Sequence, residues 1–263
     1  MELNKIYNMD CLDGLRQMED CCVALTVTSP PYDNLRKYNG YSFDFENIAK
    51  ELYRVTKKGG IVVWIVGDKT VNGSESGTSF KQALYFKEVG FNLHDTMIYA
   101  KNNPVPQVDK SRYTQSFEYM FILSKNKPKT VNRIVEATKN GGKVHKSTNG
   151  NLESADKKKR SEITNNFKPL KNMWFYTIGT GNSSKDKIAF KHPAIFPEQL
   201  AHDHIVSWSN EGDVVMDIFM GSGTTAKMCK LTNRNYIGFE ISKEYCDIAE
   251  ERLNLITMKG EIK

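Results

Sequence analysis

The chain has 263 residues and a formal net charge of +6, and 39% of it is hydrophobic against 26% charged. That length can bury the core of one α/β domain with room for a modest insertion, and the balance suits a soluble globular protein. No apolar run approaches the roughly 18 residues that span a bilayer, and the opening Met-Glu-Leu-Asn-Lys lacks a signal-peptide pattern, so a cytoplasmic location is expected and a membrane partner is not.

Taken in order, Asn8-Met9-Asp10-Cys11-Leu12-Asp13-Gly14-Leu15 reads as a strand-end turn leading into a short amphipathic helix, with Asp10 placed to cap it. Val23-Ala24-Leu25-Thr26-Val27 is an apolar run of strand length. Thr28-Ser29-Pro30-Pro31-Tyr32 follows it directly. Two prolines cannot continue a ladder, because neither has an N–H to give and each fixes its own φ. The backbone therefore leaves the strand as a stiff loop, with Ser29 held away from the helical region by the proline after it. A hydroxyl, exposed carbonyls and an aromatic ring then stand at the carboxyl edge of a sheet, where open α/β folds place their chemistry. On its own, Ser-Pro-Pro-Tyr is equally a strand-terminating turn.

Asp33 to Ser42 is polar and aromatic and reads as a loop beside that edge. Phe45, Ile48, Leu52 and Val55 recur at helical spacing, with Gly59-Gly60 expected to end the helix. Ile61 to Val66 is continuously apolar, the pattern of a parallel strand buried on both faces. A Gly/Ser loop from Asn72 to Ser79 precedes a helix near Phe80–Val89 that stops at Gly90. Strands follow at Asp95–Ala100 and Phe117–Leu123, separated by the proline-punctuated Lys101–Gln107.

From Lys125 to Lys171 the periodicity is lost. Eleven lysines and two arginines stand there against four acids, a net of +9 that leaves the rest of the chain at −3. Lys157-Lys158-Lys159-Arg160 is its densest run. Such a run is often only a solvated surface. A basic insertion is also what duplex DNA requires, because phosphate neutralisation supplies much of its affinity.

Order returns at Asn172–Tyr176, and Lys191 to Leu200 opens a helix continuing through Ile205 and Trp208. His192, His202 and His204 share no ligand spacing with cysteine or carboxylate, so surface or cap histidines are expected and a metal is not. Cys11, Cys21, Cys22, Cys229 and Cys246 are odd in number without a Cys-x-x-Cys pair, which points to reduced thiols. Val214–Asp217 reads as a strand, and Gly221-Ser222-Gly223-Thr224-Thr225 as the turn opening the next helix. Its glycines allow close backbone approach to a ligand. The pattern is not Gly-x-Gly-x-x-Gly, and no phosphate-binding lysine follows in P-loop spacing, so hydride and phosphoryl chemistry are disfavoured. Glu240 ends the next strand, 17 positions beyond Gly223. A carboxylate there can accept both ribose hydroxyls of a nucleoside; the plainer role is a helix N-cap, for which Ser242 is the better candidate.

The loop at Ser29–Tyr32 and the stretch Asp217-Ile218-Phe219-Met220-Gly221-Ser222-Gly223-Thr224-Thr225 together resemble the amino-methyltransferases of DNA. That family joins a (Asp/Asn/Ser)-Pro-Pro-(Tyr/Phe) catalytic loop to a Phe-x-Gly-x-Gly cofactor loop. The catalytic loop comes first, the cofactor loop last and a basic insertion lies between, as in the family's β group. The resemblance covers most of the chain outside residues 125–171. It implies a Rossmann-like α/β fold with a mostly parallel sheet and helices on both faces, in a catalytic half (1–124), a target-recognition insertion (125–171) and a cofactor-binding half (172–263). It implies S-adenosyl-L-methionine as methyl donor, with Asp10 at the adenine ring and Cys11 beside it. His192 and Pro193, within Lys191–Leu200, would line the methionine end. Asp217, Phe219, Gly221, Ser222 and Gly223 would form the floor, and Thr224 a further contact. It implies double-stranded DNA as partner, gripped by Lys157, Lys158, Lys159 and Arg160. A second copy of the chain and a cognate restriction endonuclease are open as protein partners.

The residues suit that chemistry. An exocyclic amine is a poor nucleophile because its lone pair is delocalised into the ring. Ser29 Oγ and the Pro30 carbonyl can accept its two N–H groups, Pro31 can hold that geometry, and Tyr32 can stack on a base flipped out of the duplex. Methylation at carbon 5 needs a cysteine nucleophile, usually after proline, and the chain has no Pro-Cys pair. Serine at position 29 favours cytosine N4, with adenine N6 as the alternative. An RNA or protein amide methyltransferase would carry the loops in the reverse order. A non-catalytic DNA-binding module would need neither loop intact, and would bind labelled cofactor without transferring its methyl group.

Overall fold

The structure is a computed structural model that describes residues 1–31, 43–106, 111–148, 159–163 and 165–256, without the side chains of 144–148 and 159–163. In chain order its elements begin with β1 (Lys5–Asn8), α1 (Cys11–Arg16), β2 (Val23–Thr28), α2 (Phe45–Val55) and β3 (Thr56–Val66). A small hairpin of β4 (Thr70–Val71) and β5 (Ser74–Glu75) leads to α3 (Thr78–Val89), β6 (Asn92–Lys101) and β7 (Phe117–Ser124). After β8 to β11 come β12 (Met173–Tyr176), α4 (Glu198–Trp208), β13 (Val214–Asp217), α5 (Thr224–Leu231), β14 (Asn235–Glu240) and α6 (Lys243–Asn254).

Two compact units result, Met1–Asn132 with Asn172–Lys263, and Arg133–Lys171. The first is built on one eight-stranded sheet of order β1-β14-β13-β2-β3-β7-β6-β12. Every neighbouring pair is parallel except the two that β7 makes with β3 and β6. The expected α/β class and mostly parallel sheet are therefore present. Ile61 to Val66 of β3 is buried throughout, as a central strand covered on both faces must be. The apolar stripe of α2, Ile48, Leu52 and Val55, packs into the same core, and Asp44 caps the helix through Asn47 N–H at 3.3 Å.

Gly59-Gly60 does not terminate α2. That helix ends at Val55, where Thr56 Oγ1 donates to the Leu52 carbonyl at 2.6 Å. The glycines lie within β3 beside the register shift in its pairing with β2, and a Cβ on Gly60 would stand 2.8 Å from the Ala24 carbonyl oxygen. Close strand approach, not helix termination, requires glycine here. His204 also departs from expectation. It is a core residue, fully buried against Met120 and Trp174, and burial pushes its imidazole down to about 3, so it is neutral.

The second unit contains two antiparallel pairs, β8 (Val135–Ala137) with β11 (Phe167–Pro169) and β9 (Val144–Thr148) with β10 (Lys159–Ile163). Lys157 and Lys158 lie outside the described residues, and Lys159 and Arg160 open β10, opposite Thr148 and Ser147. Within Arg133–Lys171 eight lysines and two arginines face four acids, a net of +6 that equals the formal charge of the whole chain. Lys125 belongs to the first unit. It is 8% exposed, with Nζ donating to the Tyr53 carbonyl at 2.6 Å and lying 4.6 Å from the Tyr53 ring centre. No helix among the described residues is long and apolar enough to cross a membrane.

Candidate active site

β2 and β13 are adjacent and parallel, with Leu25 beside Val215 and Thr26 beside Met216. Their carboxyl ends therefore release the Ser29 loop and the Phe219–Thr224 turn from the same edge of the sheet, although 189 positions separate Thr28 from Asp217. Thr28 Oγ1 donates to Asp217 Oδ1 at 2.7 Å and joins the two ends. Above this edge lies a cavity of about 1190 Å³. Ser29, Pro30 and Pro31 line it on one side, and Phe219, Gly221, Ser222 and Thr224 on another. Asp10, Cys11, His192, Pro193 and Glu240 line it as well. Tyr32 lies outside the described residues.

Two of the expected floor residues have other tasks. Asp217 does not line the cavity and is 1% exposed. Its carboxylate accepts from Thr28 Oγ1 and Thr225 Oγ1, each at 2.7 Å, and from Phe219 N–H at 3.1 Å. Burial raises it to about 6 despite those bonds. Gly223 likewise does not line the cavity. It precedes α5 as its N-cap, and a Cβ there would stand 2.7 Å from Ala249 Cβ on α6. Both residues serve the shape of the turn, Asp217 through its bonds to Phe219 and Thr225 and Gly223 through its packing on α6.

Glu240 sits at the end of β14, partly buried, with burial raising its carboxyl above the usual range. Its Oε2 accepts from Gly221 N–H at 2.8 Å and its Oε1 from Ser242 N–H at 2.9 Å. Capping of α6 falls to Ser242, whose Oγ accepts from Tyr245 N–H. Asp10 does cap α1, through Leu12 N–H at 2.8 Å, and lines the cavity too. Cys11 is buried, which pushes its thiol up to about 12 and keeps it neutral.

His192 closes over the turn. Its Nδ1 accepts from Ala194 N–H at 3.1 Å, and its ring meets Tyr245 edge-on with centres 4.3 Å apart. Gly221 has φ +51°, and a Cβ there would stand 3.0 Å from His192 Nε2. Glycine is needed here both for backbone conformation and for space, as it is at Gly223 with φ +80°. The His192 segment is an extended strap, with a 3₁₀ turn at Lys187–Lys191 before it, and α4 begins only at Glu198.

Sequence reading missed one charged pair on the cavity wall. Lys101 Nζ lies 2.6 Å from Glu118 Oε1, with side chains 19% and 18% exposed, and both line the cavity beside Tyr99. Lys101 ends β6 and Glu118 lies near the start of the antiparallel β7, opposite Tyr99. The pairing depends on register between strands and leaves no local signal. Among the described residues no three His, Cys, Asp or Glu side chains gather as a metal site.

Comparison with known proteins agrees with this geometry. The family described as DNA methylase matches residues 23–251. The orphan methyltransferase M.BamHII of Bacillus amyloliquefaciens is 61% identical over 238 residues, 89% of this chain and 89% of its own length. In fold the chain is similar to the PvuII DNA methyltransferase (cytosine-N4-specific), at TM-score 0.69 and 22% identity over 94% of this chain and 84% of that one. It is similar also to M1.HpyAVI in its SAM complex, at TM-score 0.60 and 24% identity over 95% and 99%. A match through both loops and the sheet that joins them places this chain in the DNA methylase family, among the β-group amino-methyltransferases whose members act on cytosine N4 or adenine N6.

Proposed function

We propose that the protein transfers a methyl group from S-adenosyl-L-methionine to the exocyclic N4 of a cytosine flipped out of duplex DNA. The observation that carries this reading is the single cavity shared by Ser29-Pro30-Pro31 and by the Phe219–Ser222 turn with Glu240. The cavity residues suit the donor. Glu240 brings a carboxylate to the cavity wall for ribose hydroxyls, and Gly221 leaves a cradle under His192 that a Cβ would fill. The solved M1.HpyAVI neighbour carries SAM. When bound, the donor supplies an electrophilic methyl group on a sulfonium.

The chain's own residues do the rest. Ser29 Oγ and the Pro30 carbonyl accept the two N–H groups of the amine, which turns its lone pair out of the ring plane and toward the methyl carbon. Pro30 and Pro31 fix those acceptors in place. As the nitrogen–carbon bond forms and the carbon–sulfur bond breaks, the amine gives up one proton to water. Tyr32 stacks on the flipped base. The Arg133–Lys171 unit, with its net of +6, supplies phosphate contacts and target recognition, and its run at Lys157–Arg160 lies against the DNA backbone. The relative at 61% identity is called an orphan, which supports action without a cognate restriction endonuclease. A DNA substrate and reduced thiols both suit the cytoplasm.

Sequencing that detects modified bases, applied to DNA from cells expressing the chain, reads base, atom and site together. N4-methylcytosine at one recurrent sequence is expected, and N6-methyladenine overturns the choice of base. Ser29→Asp is the companion test. A larger, anionic acceptor repels the ring carbonyl of cytosine, whereas adenine has no carbonyl beside its amine. Loss of most activity is expected; robust methylation of the unchanged site points to adenine.

A further inference from the structure

Beneath the cavity lies a cluster of four charges, three buried and one partly buried, that neither loop motif contains. Arg252 of α6 is 0% exposed and Lys227 of α5 is 1% exposed. Between them stand Asp186 and Glu198, with side chains 5% and 18% exposed. Lys227 Nζ lies 2.8 Å from both Asp186 Oδ2 and Glu198 Oε1. Arg252 Nε is 3.0 Å from the same Asp186 oxygen, and its Nη2 is 2.7 Å from the same Glu198 oxygen. Burial works to raise the Asp186 carboxyl, yet hydrogen bonds from Lys227 and Arg252 hold it below the usual carboxylate range. Two cations meet two anions, so the cluster is neutral.

The two cations are not equivalent. Among the described residues Lys227 Nζ donates to the two carboxylates alone. Arg252 turns its third edge elsewhere: Nη1 donates to the Ser222 carbonyl at 2.5 Å, to Ser222 Oγ at 3.1 Å and to Thr224 Oγ1 at 3.3 Å. Those atoms belong to the turn that lines the cavity. Asp186 and Glu198 belong to the strap that carries His192 across it. The strap is closed at its neck by Glu198 N–H donating to the Ser183 carbonyl at 2.8 Å and by Ser184 Oγ donating to Glu198 Oε1 at 2.6 Å. A planar guanidinium thus spans from strap to turn in one rigid group, which a single ammonium cannot do.

We propose that Arg252 is a positioning residue for the cofactor: its guanidinium sets the separation of the strap Ser183–Glu198 from the turn Gly221–Thr224, the two walls between which S-adenosylmethionine binds. The inference rests on the reading of that cavity as the donor site. Arg252→Lys tests it, because the cluster stays neutral while the reach to Ser222 and Thr224 is lost. Isothermal titration should show the dissociation constant for S-adenosylmethionine rising about tenfold or more, the scale expected for lost charge-assisted hydrogen bonds. Amides 221–225 of the ligand-free variant should exchange hydrogen faster, while kcat at saturating cofactor stays within about threefold of wild type. An unchanged dissociation constant in folded Arg252→Lys overturns the proposal, as does a fall in kcat alone. Should that variant fail to fold, Ser184→Ala decides. It removes no charge and no cavity-lining residue, but it deletes the hydroxyl that donates to Glu198 Oε1 at 2.6 Å and accepts from Arg252 Nη2 at 3.4 Å, so weaker cofactor binding supports the proposal and unchanged binding overturns it. Wild-type protein that does not bind S-adenosylmethionine overturns the donor-site reading itself, and is told apart from these outcomes by its occurring without any substitution.

Discussion

At the scale of single residues, Asp217 joins the two halves of the site, because its carboxylate takes hydroxyls from Thr28 before the catalytic loop and from Thr225 after the cofactor turn. Its full burial raises it from 3.8 to about 6. Below about pH 4 it is protonated in folded and unfolded chains alike. Between there and about 6 the unfolded chain releases the proton while the folded one keeps it, so stability from this group falls as pH rises through that window. A shift of about two units corresponds to about 3 kcal/mol. Asp217→Asn cannot titrate. Urea unfolding at pH 4 and pH 7 should therefore show the stability difference moving toward the variant by up to about 3 kcal/mol at the higher pH. Parallel curves would mean that the carboxyl titrates normally. Ser29→Ala belongs to the same scale and has a different signature. In the proposed reaction it removes an acceptor that matters most as the amine nitrogen becomes tetrahedral, so kcat should fall at least tenfold with DNA affinity within about twofold. A loss of affinity with kcat intact would make Ser29 a binding group only.

At the scale of elements, the turn and the strap act on each other through Gly221 and His192. An alanine at 221 meets two separate penalties, a left-handed φ of +51° and a ring nitrogen 3.0 Å from the new methyl. The first costs about 1–2 kcal/mol whatever surrounds it; the second depends on the ring. Gly221→Ala should weaken cofactor binding at least fivefold, and His192→Ala in the same chain should restore part of that loss. Titration of both variants against the His192→Ala background gives the coupling, and strictly additive losses would show that the ring is not the obstacle. The turn was legible in the sequence because two glycines, one residue apart, follow closely on an apolar strand. Glu240 was legible for the same reason, standing at the end of the next such strand. Asp217 was expected in the floor and lies behind the cavity lining, since nothing local tells a carboxylate that faces a cavity from one bonded to Thr28, 189 positions away. Lys101 with Glu118, and Arg252 with Asp186, left no pattern at all, because their meaning lies in strand register and helix packing. Gly59-Gly60 misled for a related reason: helix termination and close strand approach both call for glycine.

At the scale of the molecule, charge is divided as the two tasks are. Arg133–Lys171 holds a net of +6, so the rest of the chain, which contains the entire cavity lining, sums to zero. The cavity lining itself holds Asp10, Asp44, Glu118 and Glu240 against Lys101, an acidic excess that suits a cationic sulfonium better than a phosphate. Binding to duplex DNA should then depend on salt through that unit. Each phosphate neutralised contributes about 0.9 to the slope of log K against log salt. Replacing Lys157, Lys158, Lys159 and Arg160 together with alanine removes four positive charges and should flatten the slope by up to about 3.6. S-adenosylmethionine affinity in the absence of DNA should stay within about twofold, since every described residue that lines the cavity belongs to Met1–Asn132 or Asn172–Lys263. Affinity measured across a salt series decides it: a flatter slope with intact cofactor binding assigns the run to the DNA backbone, and an unchanged slope returns it to solvent.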